Sequence, residues 1–102
     1  MARVGFAMQL KPGNEAEYKK RHDEVWPDLS DLLSQAGLSN YSIYRHGLTL
    51  FAYVEVENPA SLLALAGEEL MQKWWRYMEP LMECNEDSSP KVTMLEEVFH
   101  MD

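Results

Sequence analysis

From Arg3 to Leu10 the residues alternate in character: Val4, Phe6, Met8 and Leu10 hold one parity, and Arg3, Gly5, Ala7 and Gln9 hold the other. A period of two predicts a β-strand, with small residues Gly5 and Ala7 leaving room on its second face. The run KPGN (residues 11–14) then breaks the strand. Asn14 and Glu17 have the spacing of a capping box, so a helix is expected to start near Asn14. Val25, Leu29, Leu32, Leu33 and Ala36 carry helical spacing onward to a stop at Gly37. Pro27 interrupts this stretch. Its ring removes a backbone donor and disfavours helical geometry at Trp26, which predicts a kink or a fresh helix start there.

NYSIYRH (residues 40–46) and LTLFAYVEVE (residues 48–57) read as two strands joined by a turn at His46 and Gly47, a hairpin. A second helical region is expected from Asn58 and Pro59, interrupted at Gly67 and resuming as EELMQKWWRYM before Pro80. ECNEDSSP (residues 83–90) is a polar loop, and KVTMLEEVF (residues 91–99) a last strand. The order β-α-β-β-α-β predicts an α+β, ferredoxin-like fold: a four-stranded antiparallel sheet with both helices on one face. Such a small domain often covers its open sheet face with a second copy. A homodimer of the dimeric α/β barrel type is therefore expected.

Within the first helix, Tyr18, His22 and Trp26 stand four residues apart and so rise one above another. Tyr18 and His22 project within roughly 60° of the stripe formed by Val25, Leu29, Leu32 and Ala36, toward the sheet. Glu15, Lys19, Lys20 and Asp23 are expected largely on the other, wetted sides. Two readings fit this placement: His22 is a half-buried histidine satisfied by Tyr18 or a carbonyl, or the polar-aromatic half of the helix lines a cleft. In the second helical region Leu70, Trp74, Met78 and Leu81 share a stripe, while Trp75 lies about 100° further round with Met71 and Met82. One Trp is then core and the other lines a rim, or both are core; flat indole faces suit the C–H surface of a sugar ring. Tyr41 and Tyr44 point to opposite sheet faces, so at most one shares a cleft with His22.

Length and composition narrow the alternatives. The 102 residues (1–102) match one domain, and 46% hydrophobic content with three Trp and five Tyr fits an ordered chain. The net charge of -8, with nine scattered Lys and Arg, argues against nucleic acid and anionic membranes as partners. No apolar run approaches the roughly 20 residues of a membrane span, and MARVGFAMQLKPG lacks a signal peptide's apolar core. A cytoplasmic location is expected. The lone Cys84 allows no intrachain disulfide, and no His adjoins it in sequence to make a nucleophile pair. There is no Gly-rich phosphate loop, Ser-centred elbow or Cys/His zinc spacing, and His22, His46 and His100 fall in helix, turn and tail.

Taken together, EYKKRHDEVWPDL, NYSIY, QKWWRYM and NEDSSP…LEEVFH resemble the L-rhamnose mutarotase family over nearly the whole chain. The resemblance implies a ferredoxin-like homodimer that interconverts the α and β anomers of L-rhamnose without metal or organic cofactor. By position it makes His22 the proton donor and Tyr18, Tyr41, Trp74 and Trp75 the substrate contacts. It assigns nothing to His46, His100 or Cys84. A small dimeric α+β-barrel monooxygenase with an aromatic substrate, and a non-catalytic sugar-binding module, are the competing readings. Fold alone does not separate them.

Overall fold

A computed structural model describes residues 1–102. The elements keep the expected order, with each helical region divided in two: β1 (Ala2–Gln9), α1 (Glu15–Asp23), α2 (Pro27–Gln35), β2 (Leu38–His46), β3 (Thr49–Val56), α3 (Ala60–Leu65), α4 (Glu69–Met78) and β4 (Thr93–Leu95). A single 3-10 turn, Glu79–Leu81, comes after α4. The strands form one antiparallel sheet in the order β2-β3-β1-β4, the ferredoxin-like topology.

Pro27 starts a new helix rather than bending an old one. It is the first residue of α2, and Trp26 before it is extended at φ -60, ψ 128, as the pyrrolidine ring requires of its predecessor. The expected capping box is not formed. The Asn14 side chain donates to the Lys11 carbonyl, and Glu17 accepts from Arg21 one turn on, so neither reaches back across the helix start. The last strand is also shorter than expected: only Thr93–Leu95 pair with β1.

Alternation in β1 and β3 turns Met8, Leu50, Ala52, Val54 and Val56 toward the helices, where they are buried. Leu29 from α2 and Trp74 and Met78 from α4 close over this face to make the main core. The opposite face carries Tyr44, Phe51 and Leu95, each at least 41% exposed. No helix of the structure is long and apolar enough to cross a membrane.

Candidate active site

The cleft lies between the helices and the β2 edge of the sheet. Its wide outer part, about 560 Å³, runs along α1 and α2 and is bounded on the sheet side by Tyr41, Ile43 and Leu50. Behind it a narrow chamber of about 60 Å³ shares the walls Tyr18, His22, Tyr41 and Trp74 and adds Trp75. The five side chains that the family resemblance makes proton donor and substrate contacts therefore all line this inner chamber, whereas Trp26 does not.

Helix α1 presents Tyr18 and His22 inward, one turn apart, with ring centroids 4.3 Å from each other. His22 Nδ1 lies 3.1 Å from the Tyr18 carbonyl oxygen. A carbonyl only accepts, so Nδ1 carries the hydrogen and the neutral ring keeps an unprotonated Nε2. Burial holds the imidazole below its usual value, and the carbonyl contact opposes this only in part. His22 is thus neutral near pH 7, a proton acceptor before it is a donor. Burial likewise raises the Tyr18 phenol, and the neighbouring Tyr41 adds to the rise. Tyr41 is pushed up to about 12 by desolvation of its hydroxyl end in the cleft, although the residue as a whole is 41% exposed. Both phenols stay protonated and serve as neutral donors and acceptors.

Tyr41 owes its direction to a β-bulge. Leu38 and Ser39 pair with Val56 and Glu55, and Ser42 pairs with Tyr53, so Asn40 and Tyr41 together stand opposite Val54. Asn40 takes φ +48, in the left-handed region, and its amide donates to Glu55 at 2.9 Å. The extra residue inverts the parity of the strand beyond it. Tyr41 then faces the helices with Ile43, where Leu38 also points, while Tyr44 pairs with Phe51 on the open face and touches only the cleft's rim.

Trp74 is both core and wall. It is 6% exposed, and the rings of Trp26, His22 and Tyr77 surround it at centroid separations of 5.1, 5.4 and 5.7 Å. Arg21 stacks on Tyr77 at 4.2 Å and donates to its carbonyl, tying α1 to α4. Trp75, about 100° round the helix, is half-buried and lines the inner chamber but not the outer cleft.

Several lining groups were not expected from the sequence. Glu15, Lys19 and Asp23, expected largely on the wetted sides, line the outer cleft; at 100° per residue Glu15 lies only about 20° from His22 on the helix surface. Leu29, Ser30 and Leu33 of α2 line the same cleft. The loop after Leu81 brings Ser88 and Pro90 to the inner chamber. Ser88, at φ +73, donates to Glu79 at 3.0 Å, which fastens the loop against the end of α4. Only the loop's serine and proline content could have hinted at a fixed turn.

His46 ends β2 on the surface, and His100 pairs with Asp102 in the exposed tail. Cys84 is half-buried, and burial pushes its thiol up, away from the reactive thiolate. No three His, Cys, Asp or Glu side chains cluster to hold a metal ion.

The comparisons with known proteins agree with one another. L-rhamnose mutarotase of Listeria monocytogenes is 50% identical over 103 residues, covering 99% of each chain. That of Bacteroides thetaiotaomicron is 51% identical over 104 residues and covers both chains completely. The crystal structure of L-rhamnose mutarotase from Formosa agariphila superposes with a TM-score of 0.92 at 41% identity over the whole of both chains. A Nitrosomonas europaea protein of unknown function, at 14% identity and TM-score 0.62, covering 97% of this chain and 90% of its own, shares the fold alone. With the L-rhamnose mutarotase model matching residues 3–101, the chain belongs to the L-rhamnose mutarotase family.

Proposed function

We propose that His22 is the proton carrier by which this protein interconverts the α and β anomers of L-rhamnose, and that Tyr18, Tyr41, Trp74 and Trp75 hold the sugar around it. The mutarotase activity follows from membership of the family, which makes the protein an isomerase. The observation that carries the residue assignment is a neutral imidazole whose Nδ1–H is committed to the Tyr18 carbonyl, in a chamber walled by two tyrosines and two tryptophans.

Ring opening moves one proton from the anomeric hydroxyl O1 to the ring oxygen O5 and breaks the C1–O5 bond, leaving an aldehyde at C1. In the proposed cycle Nε2 of His22 takes the O1 proton, directly or relayed through the hydroxyl of Tyr18 or Tyr41. The imidazolium then protonates O5 as the bond breaks. Rotation about C1–C2 presents the other carbonyl face, and the reverse steps close the ring as the second anomer. The proton returns to O1 and no electrons are transferred. The role of proton donor to O5 is thus reached from a neutral resting state. Indole faces at Trp74 and Trp75 suit the C–H surface of the ring, and the methionines at the chamber (Met8, Met71, Met78 and Met82) suit a C6 methyl group.

The test is proton NMR saturation transfer between the two anomeric signals of L-rhamnose, with no protein, with wild type and with His22→Ala. General acid/base catalysis of this kind typically contributes about 10²–10⁴-fold. Loss of that factor in a folded His22→Ala protein is expected; full exchange activity in the variant sinks the assignment.

The same reading takes residues 1–102 as one domain in the cytoplasm, acting as a homodimer. The open sheet face supports the last point: Tyr44, Phe51 and Leu95 lie on it beside an exposed tail containing Val98 and Phe99. A second copy laid face to face, at the usual spacing of about 10 Å between sheets, buries these residues and closes a barrel.

A further inference from the structure

Glu15 Oε1 is the one buried side-chain nitrogen or oxygen atom without a hydrogen-bond partner. It belongs to a residue that lines the outer cleft, on the same flank of α1 as Tyr18 and His22. The nearby cations are engaged elsewhere. Lys19 is paired with Asp23 at 2.9 Å, Arg21 with Glu17 at 2.8 Å, and Arg45 donates to the Gly47 carbonyl at 2.9 Å. A buried acceptor left unmatched inside a binding cleft calls for a partner that arrives with the ligand.

We propose that Glu15 is a substrate-binding residue that accepts hydrogen bonds from the sugar hydroxyls farthest from the anomeric carbon. The inference rests on His22 working at the anomeric end. Seven residues of helix separate Glu15 from His22, about 10.5 Å at 1.5 Å per residue. Both line the same cleft, with Tyr18 between them on α1, so a pyranose held at O1 by His22 turns its far hydroxyls, that on C4 among them, toward Glu15. The aromatic walls grip the ring whatever its stereochemistry; an acceptor at one fixed point reads which hydroxyl is there.

The test compares wild type, Glu15→Gln and Glu15→Ala by calorimetric binding of L-rhamnose and 4-deoxy-L-rhamnose, and by anomer exchange of L-rhamnose. A lost hydrogen bond at a buried acceptor weakens binding about five- to a hundredfold. Glu15→Ala is expected to raise Kd and KM for L-rhamnose by that factor, with a much smaller fall in kcat, and to abolish the preference over the 4-deoxy sugar. Thermal stability should fall only slightly, because the oxygen has no hydrogen-bond partner to lose and only the first-turn carboxylate's interaction with the start of α1 is removed. Equal Kd in all three proteins, or a lower Tm with unchanged Kd, overturns the assignment. Weaker rhamnose binding by Glu15→Ala, in a wild type that accelerates no exchange, upholds Glu15 as a sugar contact and sinks the catalytic role of His22. No rhamnose binding by wild type overturns both.

Discussion

Replacing Trp74 and Trp75 one at a time separates two roles that adjacent, identical side chains play. Trp74 is 6% exposed and is boxed by Trp26, His22 and Tyr77. Cutting it to alanine removes a buried indole, the wall of the cleft and three aromatic contacts. Large-to-small changes of this kind cost about 3–5 kcal/mol, against a total of about 5–15 kcal/mol for a domain. At about 4–8 °C per kcal/mol, Tm falls by roughly 12–40 °C. Trp74→Phe keeps one six-membered ring in the box and costs about 1–2 kcal/mol. Trp75 is half-buried and belongs to none of these ring pairs, so Trp75→Ala costs only about 1 kcal/mol while opening the inner chamber. Urea unfolding followed by circular dichroism gives the stabilities, and saturation transfer on L-rhamnose gives KM and kcat. The expected pattern is a strongly destabilised Trp74→Ala beside a stable Trp75→Ala with weakened sugar binding. If Trp74→Ala costs under about 1 kcal/mol, or if Trp75→Ala costs as much as Trp74→Ala, the division into core wall and chamber wall is wrong.

Burial keeps His22 below its usual value, so the unfolded chain binds its proton at a higher pH than the folded one does. Stability should therefore be full above about 6.5, the unfolded value, and decline as pH falls toward the folded value. His22→Asn should flatten that slope in urea midpoints taken between about pH 5 and 7.5, and an unchanged slope refutes the attribution. Mutarotase activity should show its acid limb below about 6.5, for the same reason. Gly37 sits at φ +88, and a Cβ there would come within 3.3 Å of the Glu57 Cβ. Gly37→Ala should thus lose more than about 1 kcal/mol in an unfolding titration, whereas an unharmed variant would mean the turn relaxes freely. Phe51→Asp, on the open sheet face, should shift the protein to monomer in sedimentation equilibrium if a second copy covers that face. A folded variant of unchanged mass argues against it.

Local chemistry alone was enough to place most of the frame. Period-two alternation located β1, two strand-like runs joined by a turn at His46 and Gly47 located β2 and β3, and Pro27 and Gly67 marked where each helical region divides. These signals act within a few residues, through backbone sterics and side-chain direction. Helical spacing turned Tyr18 and His22 inward and set Trp74 and Trp75 on different faces of α4. The tertiary structure decided the rest. Tyr41 reaches the cleft only because a bulge at Asn40 inverts strand parity, and that bulge depends on pairing with β3 and on Glu55, distant in sequence. Glu15 and Lys19 lie within about 60° of His22 on α1, but only the folded chain, with Leu29, Ser30 and Leu33 of α2 and Tyr41 and Ile43 of β2 on the other sides, makes that flank a cleft wall. The depressed titration of His22 also belongs to the folded state, since desolvation exists only once Trp74 and the sheet have closed around the ring. Periodicity assigns a side chain to a face of its own element, but what that face meets, and how dry it becomes, depends on contacts between elements far apart in the chain.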